Sequence, residues 1–387
     1  MEQVLHIEHD WGGGLSRHVD DLSSFLRAEG IGSLRCRPSG TSCLDIEPVD
    51  RFAASEGARL FPDDIAQCVA TIGDLEIVHA HFHSIINYGP FVVDHLLQIF
   101  RQARVQYDCS IHDYAAICPR IHMVDIGLVY CDVASLEYCD RCVATAGTPF
   151  GDIDPTIWRA RHLNLLQGAR SIFVPNTDVA ERLWSYLGDE LRLKVKPHPE
   201  PIWDVSDRSV RRLPCAPRPR RIAVIGRLSD IKGLHVIRSM ALDAARRDLP
   251  LRFIIFGEPE SDDLARFPNV EVKGRFEESE INALLQDNPT EIAFFPSVCP
   301  ETHLFTLSIA IRNLLFPVVF DIGSQAERVR RSRYGAVIPL DMAFTPNILN
   351  DRLATMDISS PSAREIGARR PIAAWTSARD YYELSRL

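Results

Sequence analysis

Short apolar runs bounded by turn residues alternate with stretches of helical period along this chain of 387 residues. The apolar runs predict strands at residues 4–9, 76–81, 105–112 and 171–175, and then at 221–225, 251–256, 270–272, 291–295 and 316–320. The periodic stretches predict helices at residues 15–26, about 90–100, about 155–167 and 178–187. This alternation is typical of α/β folds, in which helices connect the strands of a parallel sheet. The fully apolar strands of the second half suit a sheet that is covered on both faces.

The length predicts two or three domains at about 150 residues each. Prolines and arginines concentrate at residues 197–220, and this composition indicates an interdomain linker. An arginine patch facing phosphate or lipid headgroups is the alternative interpretation of the same stretch. We therefore expect two doubly wound, Rossmann-like domains facing a cleft, at residues 1–200 and 221–365, joined by a linker at 201–220.

Composition and net charge limit the classes of molecule that this protein is expected to bind. The formal net charge of −9 argues against a general nucleic-acid binder, and no apolar run approaches the ~20 residues of a membrane span. The first residues lack a basic stretch followed by an apolar one, so no signal peptide is predicted. We expect a cytoplasmic protein without a transmembrane segment, with peripheral contact at the inner membrane face as an alternative.

Ten cysteines fall into two groups. The scattered ones are predicted to be small buried hydrophobes: Cys36, Cys43, Cys68, Cys109, Cys215 and Cys299. The other four, Cys118, Cys131, Cys139 and Cys142, cluster in a predicted loop at about residues 113–147, and the last two form the Cys-x-x-Cys half of a zinc knuckle. A structural zinc held by four thiolates, buried thiols and disulfides are the three interpretations.

Three segments directly follow predicted strands, where ligands bind in open α/β sheets. The first is Gly12-Gly13-Gly14, which brings backbone N–H groups to a helix start that suits phosphate, with a plain tight turn as the alternative. The pattern differs from G-x-G-x-x-G, so a nicotinamide cofactor is not indicated.

The second segment is residues 226–233, in which Arg227 and Lys232 can converge on one diphosphate across a turn. Two solvated surface cations are the alternative. The third is residues 295–303, where Glu301 lies at a strand-to-helix turn and can accept hydrogen bonds from sugar hydroxyls. A helix-capping carboxylate is the alternative for Glu301.

In this order and spacing, the three segments resemble the retaining glycosyltransferases of the GT-B fold, in particular family 4 of bacterial glycan-building enzymes. The matching stretches also include Phe256-Gly257, the run 273–276 and Pro317-Val318-Val319. The resemblance implies a donor domain in the second half, and a last helix at 366–387 that returns to the N-terminal, acceptor-side domain. It also implies catalysis without a required cofactor.

The resemblance assigns roles to residues of this chain. Arg227 and Lys232 would stabilise the leaving diphosphate. Glu301 would contact the donor sugar, and His112 would lie beside the transferred sugar. The complete donor set that the resemblance implies is Gly13, Gly14, Arg227, Lys232, Gly274, Arg275, Glu301, Thr302, His303, Leu304, Phe305 and Ser308.

One position departs from the family pattern. The family usually has a second glutamate eight positions after the first, where it binds the ribose hydroxyls, and this chain has Ile309 there. An isoleucine accepts no hydrogen bond, so Ser308 or Glu327 would have to substitute, or the donor would be held differently.

Three alternating histidines, His79, His81 and His83, are predicted to share one face of a strand. Packing, with His83 bordering the acceptor, is the favoured interpretation, and a metal site is the minor one.

The leading hypothesis is transfer of a sugar from a nucleotide-diphosphate sugar to a hydroxyl acceptor, which is a glycan, a lipid-linked saccharide or a small molecule. A catalytically degenerate partner or scaffold subunit is one alternative. A GT-B-fold epimerase or phosphorylase is the other.

Overall fold

The computed structural model describes residues 1–40, 42–53, 56–198, 219–358 and 375–382. These residues form two compact units. Within the described ranges, the first unit comprises residues 1–121, 133–198 and 375–382, and the second comprises residues 122–132 and 219–358. Most of the predicted linker, together with Cys215, lies outside the described residues.

The first unit is built on an eight-stranded sheet. Its strands are β1 (Gln3–Ile7), β2 (Gly32–Ser39), β3 (Cys43–Pro48), β4 (Ala58–Leu60), β5 (Ile77–Phe82), β6 (Gln106–Ser110), β7 (Ile172–Val174) and β8 (Leu193–Val195). They lie in the order β4-β3-β2-β1-β5-β6-β7-β8, and the pairs β2–β3 and β3–β4 are antiparallel. The strand order reverses between β1 and β5, so the carboxyl ends of these two strands are the expected ligand position.

The first six helices also belong to this unit. They are α1 (Gly14–Ala28), α2 (Ile65–Asp74), α3 (Pro90–Ala103), α4 (Leu136–Ala146), α5 (Pro155–Gly168) and α6 (Thr177–Leu187). Side-chain caps fix several of their starts, since Asp154 accepts hydrogen bonds from the Thr156 and Ile157 N–H groups, and Asn176 accepts one from Val179 N–H.

The second unit contains a six-stranded, wholly parallel sheet. Its strands are β9 (Arg220–Ile225), β10 (Leu251–Phe256), β11 (Val270–Gly274), β12 (Ile292–Phe295), β13 (Phe316–Phe320) and β14 (Ala336–Ile338). The order β11-β10-β9-β12-β13-β14 is the 3-2-1-4-5-6 order of dinucleotide-binding folds, which places the switch point between β9 and β12.

Helices cover both faces of this second sheet. They are α7 (Leu234–Arg246), α8 (Ile281–Asp287), α9 (Phe305–Arg312), α10 (Gly323–Ser332) and α11 (Pro346–Thr355). Alternate residues of each strand enter different apolar clusters: Ile222 and Val224 lie in one cluster, and Ala223 and Ile225 in the other. The prediction of strands covered on both faces is therefore confirmed.

The described end of the chain belongs to the first unit. A short helix, α12 (Ala378–Tyr382), follows Trp375, and its buried side chains pack with Val4, Leu22 and Phe173. None of the helices in the described part of the chain is long and apolar enough to cross a membrane.

The α/β fold with two sheets of mainly parallel strands is confirmed, and each predicted strand is found within a few residues of its predicted bounds. The predicted loop at residues 113–147 is wrong in part, because α4 occupies residues 136–146 and the Ser135 hydroxyl accepts a hydrogen bond from Tyr138 N–H at its start. The strands β2, β3, β4, β8 and β14 were not predicted.

Candidate functional site

Glycine turns bring three loops of the second unit together at the carboxyl edge of its sheet. Gly226 and Gly257 follow β9 and β10 with φ angles of 116° and 145°, a region that favours glycine. A Cβ on Gly257 would overlap the Gly226 carbonyl, and a Cβ on Gly233 would overlap the Pro296 carbonyl. These positions therefore require glycine for close packing of one backbone against another.

Lys232 and Glu301 form an ion pair at this edge, beside the switch point. The Lys232 Nζ contacts both carboxylate oxygens of Glu301, and the Ser297 hydroxyl donates a hydrogen bond of 3.0 Å to Glu301 Oε1. Burial lowers the pKa of Lys232, but the neighbouring Glu301 carboxylate outweighs it, so the pKa is raised above the ordinary 10.5. The ammonium is thus charged at every physiological pH.

The backbone of Glu301 is fixed by residues that follow β13. The Glu301 N–H donates to Gln325 Oε1 at 3.0 Å, and Gln325 Nε2 donates to the Cys299 carbonyl at 3.1 Å. A Cβ on Gly323 would lie 2.6 Å from Glu301 N. Sequence reasoning missed this support, although Gly323 and Gln325 directly follow a predicted strand, which is the signal that located Glu301.

The residues after Glu301 lead into α9. Thr302, His303, Leu304 and Phe305 are half-buried, and α9 begins at Phe305. Arg328, which was not predicted, donates to the Leu304 carbonyl at 2.6 Å and to the Ser308 hydroxyl at 2.7 Å. The predicted donor residues 301–305 and 308 therefore form one contiguous structure around the start of a helix.

Ile309 points into the apolar interior. Its side chain is only 6% exposed and belongs to the cluster that contains Ile225 and Phe256. Of the two suggested substitutes for the missing glutamate, Ser308 accepts a hydrogen bond from Arg328, and Glu327 forms an ion pair with Arg331 at 3.2 Å.

Arg227 and Lys232 have different carboxylate partners. The Arg227 guanidinium donates to Glu260 at 3.0 Å and is 78% exposed, whereas Lys232 binds Glu301. Nearby, a cavity of about 340 Å³ lies at the ends of β10 and β11. It is lined by Gly257, Glu258, Pro259, Asp262, Ala265, Val272 and Gly274. Gly274, one of the predicted donor residues, therefore borders a concave surface, next to the exposed Arg275.

In the first unit, the glycine turn leads into α1 as the sequence indicates. Gly13 precedes the helix with a φ angle of 81°, and Gly14 is its first residue. A Cβ added to Gly12 or Gly13 would meet no atom within 4 Å among the described residues. The turn has room for a ligand beside its backbone.

One face of the first sheet carries a buried row of imidazoles. His6 Nδ1 lies 3.1 Å from His83 Nε2, and His83 Nδ1 lies 3.0 Å from His112 Nε2. His18, on α1, lies with its Nδ1 2.8 Å from His198 Nδ1. His112 is thus hydrogen-bonded to His83, which the sequence analysis placed beside the acceptor. His6, His18 and His198 were missed because they come from separate parts of the chain.

The same face binds the end of the chain through hydroxyl groups. His81 Nδ1 lies 2.9 Å from the Tyr382 hydroxyl, and His81 Nε2 lies 2.8 Å from Ser110 Oγ. Ser110 Oγ in turn lies 2.7 Å from the Tyr381 hydroxyl. His79 pairs instead with Asp108, at 3.0 Å, and this carboxylate also binds Arg170.

Burial keeps five of the clustered imidazoles neutral. It lowers the pKa of His6 to about 3 and that of His112 to about 3, and it lowers the pKa values of His18, His81 and His83 well below 6.5. Among the described residues, two sets hold their ligand atoms within 4.8 Å of one another, as a metal would require. They are His6 with His81 and His83, and His18 with His83 and His112. His79 belongs to neither set.

The four clustered cysteines divide between the units. Cys118, Cys139 and Cys142 belong to the first unit, and Cys131 to the second. The sulfur of Cys139 accepts a hydrogen bond from Arg159 at 3.0 Å, and the Cys131 thiol donates to the Met123 carbonyl at 3.2 Å. The three sulfurs of the first unit do not lie within 4.8 Å of one another in the described structure.

Solved structures with the same fold are glycosyltransferases and related synthases. Sucrose-phosphate synthase from Thermosynechococcus elongatus aligns over 95% of this chain and 94% of its own, with a TM-score of 0.61 and 14% identity. Anabaena HepE in complex with UDP covers 95% and 94%, with a TM-score of 0.56 and 13% identity. The catalytic domain of starch synthase IV from Arabidopsis thaliana, bound to ADP and acarbose, covers 99% and 98%, with a TM-score of 0.53 and 14% identity.

No protein-family model and no curated protein sequence matches the chain. At these identities the likeness establishes the fold, which is that of GT-B glycosyltransferases.

Proposed function

We propose that this protein is a retaining glycosyltransferase of the family 4 type, which moves a sugar from a nucleotide-diphosphate sugar to a hydroxyl acceptor in bacterial glycan synthesis. The observation that carries the proposal is the Lys232–Glu301 pair beside the switch point of a parallel sheet, bordered by glycine turns and a helix start. The fold neighbours add support, because their complexes contain UDP in HepE and ADP in starch synthase IV.

The charges of the site suit a leaving diphosphate. In the proposed reaction, the bond from the anomeric carbon to the diphosphate breaks while a bond to the acceptor oxygen forms on the same face. The departing phosphate takes the acceptor's proton. Lys232, and Arg227 after exchanging Glu260 for phosphate, would stabilise the developing negative charge without a metal ion.

Glu301 would hold the donor sugar. Its carboxylate accepts from Ser297 and Lys232, and its remaining lone pairs can accept hydrogen bonds from sugar hydroxyls. The half-buried start of α9 would place N–H groups of residues 302–305 near sugar and phosphate. His112, as a neutral imidazole, would lie beside the transferred sugar, and Gly13 and Gly14 would approach the donor.

The test measures nucleotide release from a panel of UDP-, GDP- and ADP-sugars. Lys232→Ala should lower turnover about 100- to 1,000-fold, as removal of a charged transition-state donor does. Arg247→Ala removes an ion-paired surface arginine of the same unit and is the matched control, which should leave turnover unchanged. The transferase proposal is wrong if the wild type neither binds nor cleaves any donor in the panel.

A nucleotide-independent scaffold subunit is the second candidate, and Ile309 favours it. The side chain expected to bind ribose is replaced by one that packs in the apolar interior. Calorimetric titration with UDP, GDP and ADP separates the candidates, because the scaffold would bind none of them.

A structural zinc at Cys118, Cys131, Cys139 and Cys142 stays part of the proposal. So does a cytoplasmic location, with peripheral contact at the inner membrane face as the alternative. Metal analysis of the purified protein tests the zinc, with one equivalent expected per chain. Zinc below a tenth of an equivalent after purification without chelator would refute it.

A further inference from the structure

Trp11 is the most exposed tryptophan in the described part of the chain, and it lies at the ligand edge of the first sheet. Its side chain is 52% exposed, although an indole ring ordinarily lies largely buried. It directly precedes the glycine turn after β1, at the switch point between β1 and β5. The reaction proposed above has no role for it.

The indole of Trp11 is supported from behind by a stack of aromatic rings. Phe150 lies parallel to it, with a ring separation of 6.3 Å and an interplanar angle of 6°. Phe150 in turn stacks on Trp158 at 5.1 Å and 18°. Trp158 is buried, and its indole N–H donates to the Ala115 carbonyl. The stack therefore fixes the position of an indole that is half exposed to solvent.

Polar side chains come from the same loop as Trp11 and from the loop after β5. Asp10 is adjacent in the chain, and its Oδ1 accepts a hydrogen bond of 3.2 Å from Asn87 Nδ2, which comes from the loop after β5. His9 also contacts Trp11, with a distance of 5.4 Å between the ring centroids. The backbone N–H of Trp11 donates to His9 Nδ1 at 3.2 Å, which further fixes the position of Trp11.

An exposed indole, with a carboxylate and an amide group in the adjoining loop residues, matches the chemistry of a sugar ring. A pyranose presents C–H groups on one face and hydroxyl groups around its edge. The partly positive C–H groups suit the negative face of an indole, and Asp10 and Asn87 offer acceptors and donors to the hydroxyls. An anionic lipid fits less well, because Asp10, Asp152 and Asp154 bring negative charge to the same loops.

We propose that Trp11 is the stacking platform of an acceptor subsite, and that the acceptor is a saccharide whose ring packs on the indole. This inference rests on the proposed transferase function, since it assigns the acceptor of that reaction. Trp11 is a positioning and specificity residue, because it holds the acceptor ring and does not touch the bonds that change.

Saturation-transfer NMR on the full chain tests the subsite directly, with methyl glycosides of glucose, galactose and mannose and their disaccharides as probes. We expect saturation of ring C–H protons in the wild type. Trp11→Ala should weaken binding about 10- to 100-fold, the range for loss of an aromatic anchor. Trp11→Phe keeps an aromatic face and should retain binding within about fivefold. Phe91→Ala, which removes a 74% exposed aromatic side chain of the same unit, is the matched control and should bind as the wild type does.

Three results would overturn the inference. The first is that no saccharide of the panel shows saturation transfer with the wild type, and the second is that Trp11→Ala binds the saccharides as the wild type does. The third is that the protein sediments with phosphatidylglycerol vesicles and Trp11→Ala abolishes that sedimentation. Nucleotide titration keeps this test separate from the proposed function. If the wild type binds nucleotide and Trp11→Ala still binds saccharide, only the subsite is refuted. If the wild type binds no nucleotide, the transferase proposal is refuted.

Discussion

Mild acid should unfold the first unit, because its buried imidazoles are held neutral. In the unfolded chain these groups titrate near pH 6.5, while the folded-state pKa values are about 3 for His6 and His112 and well below 6.5 for His18, His81 and His83. The unfolded state therefore takes up protons that the folded state does not. The stability is fully present above about pH 6.5 and is lost as the pH falls toward the folded-state values.

The size of the effect follows from the unfolded-state pKa. Between pH 7.5 and pH 5.5, each such imidazole lowers the free energy of unfolding by about 1 kcal/mol. His162 of the same unit, whose pKa burial lowers to about 4, adds a similar amount, so the total loss is several kcal/mol. Asp113 opposes part of this change, since burial raises its pKa to about 6 and its protonation at pH 5.5 stabilises the folded state. A net loss of several kcal/mol is comparable to the whole stability of a typical domain.

Urea titration followed by tryptophan fluorescence measures this loss. Four of the five tryptophans, Trp11, Trp158, Trp184 and Trp375, lie in the first unit, so the signal reports mainly on it. The midpoint should fall by about 2 to 3 M between pH 7.5 and pH 5.5. His95→Gln, which removes a partly exposed histidine of the same unit, is the matched control. A midpoint shift below about 0.5 M would show that the imidazoles are not held neutral.

Three substitutions test other parts of the structure through the free energy of unfolding. Gly233→Ala should cost more than about 4 kcal/mol because its Cβ overlaps the Pro296 carbonyl, whereas Gly188→Ala, with a φ angle of 93° and open space, should cost about 1 to 2 kcal/mol. Equal costs would refute the clash. Tyr381→Phe removes the hydroxyl that Ser110 contacts and should cost about 1 to 3 kcal/mol, and an unchanged urea midpoint would contradict that contact. Ile309→Glu should cost more than about 3 kcal/mol by burying a carboxylate, and a gain in nucleotide affinity without that cost would show that the side chain faces the ligand.

The sequence predicts the second unit well because its strands are apolar and its ligand loops are short motifs. Arg221–Ile225 was expected as a strand, and Arg220–Ile225 is found. The strands of the first unit are harder to predict from the sequence. Arg35 and Arg37 interrupt the apolar pattern of β2, and only the structure shows that both bind the buried carboxylate of Glu8. Strand patterns do not reveal such long-range charge pairs.

In the candidate sites, too, the residues in local motifs were predicted and the long-range contacts between them were not. Lys232 and Glu301 lie in recognisable turns, but their ion pair joins residues 69 positions apart. The contact of His81 with Tyr382 spans 301 positions, so no local pattern indicates it. The helix α4 was missed because polar and cysteine residues obscure its apolar face, although Ser135 is a good capping residue.

The packing of α12 on the first unit has a consequence for synthesis on the ribosome. The residues that cover His81 and Ser110 are translated roughly 180 residues after β8. At about 5 to 20 residues per second, the first unit waits roughly 10 to 40 s with its imidazole face uncovered. During that interval the nascent first unit is a natural client for chaperones, and its folding is completed only after the second unit has been synthesised.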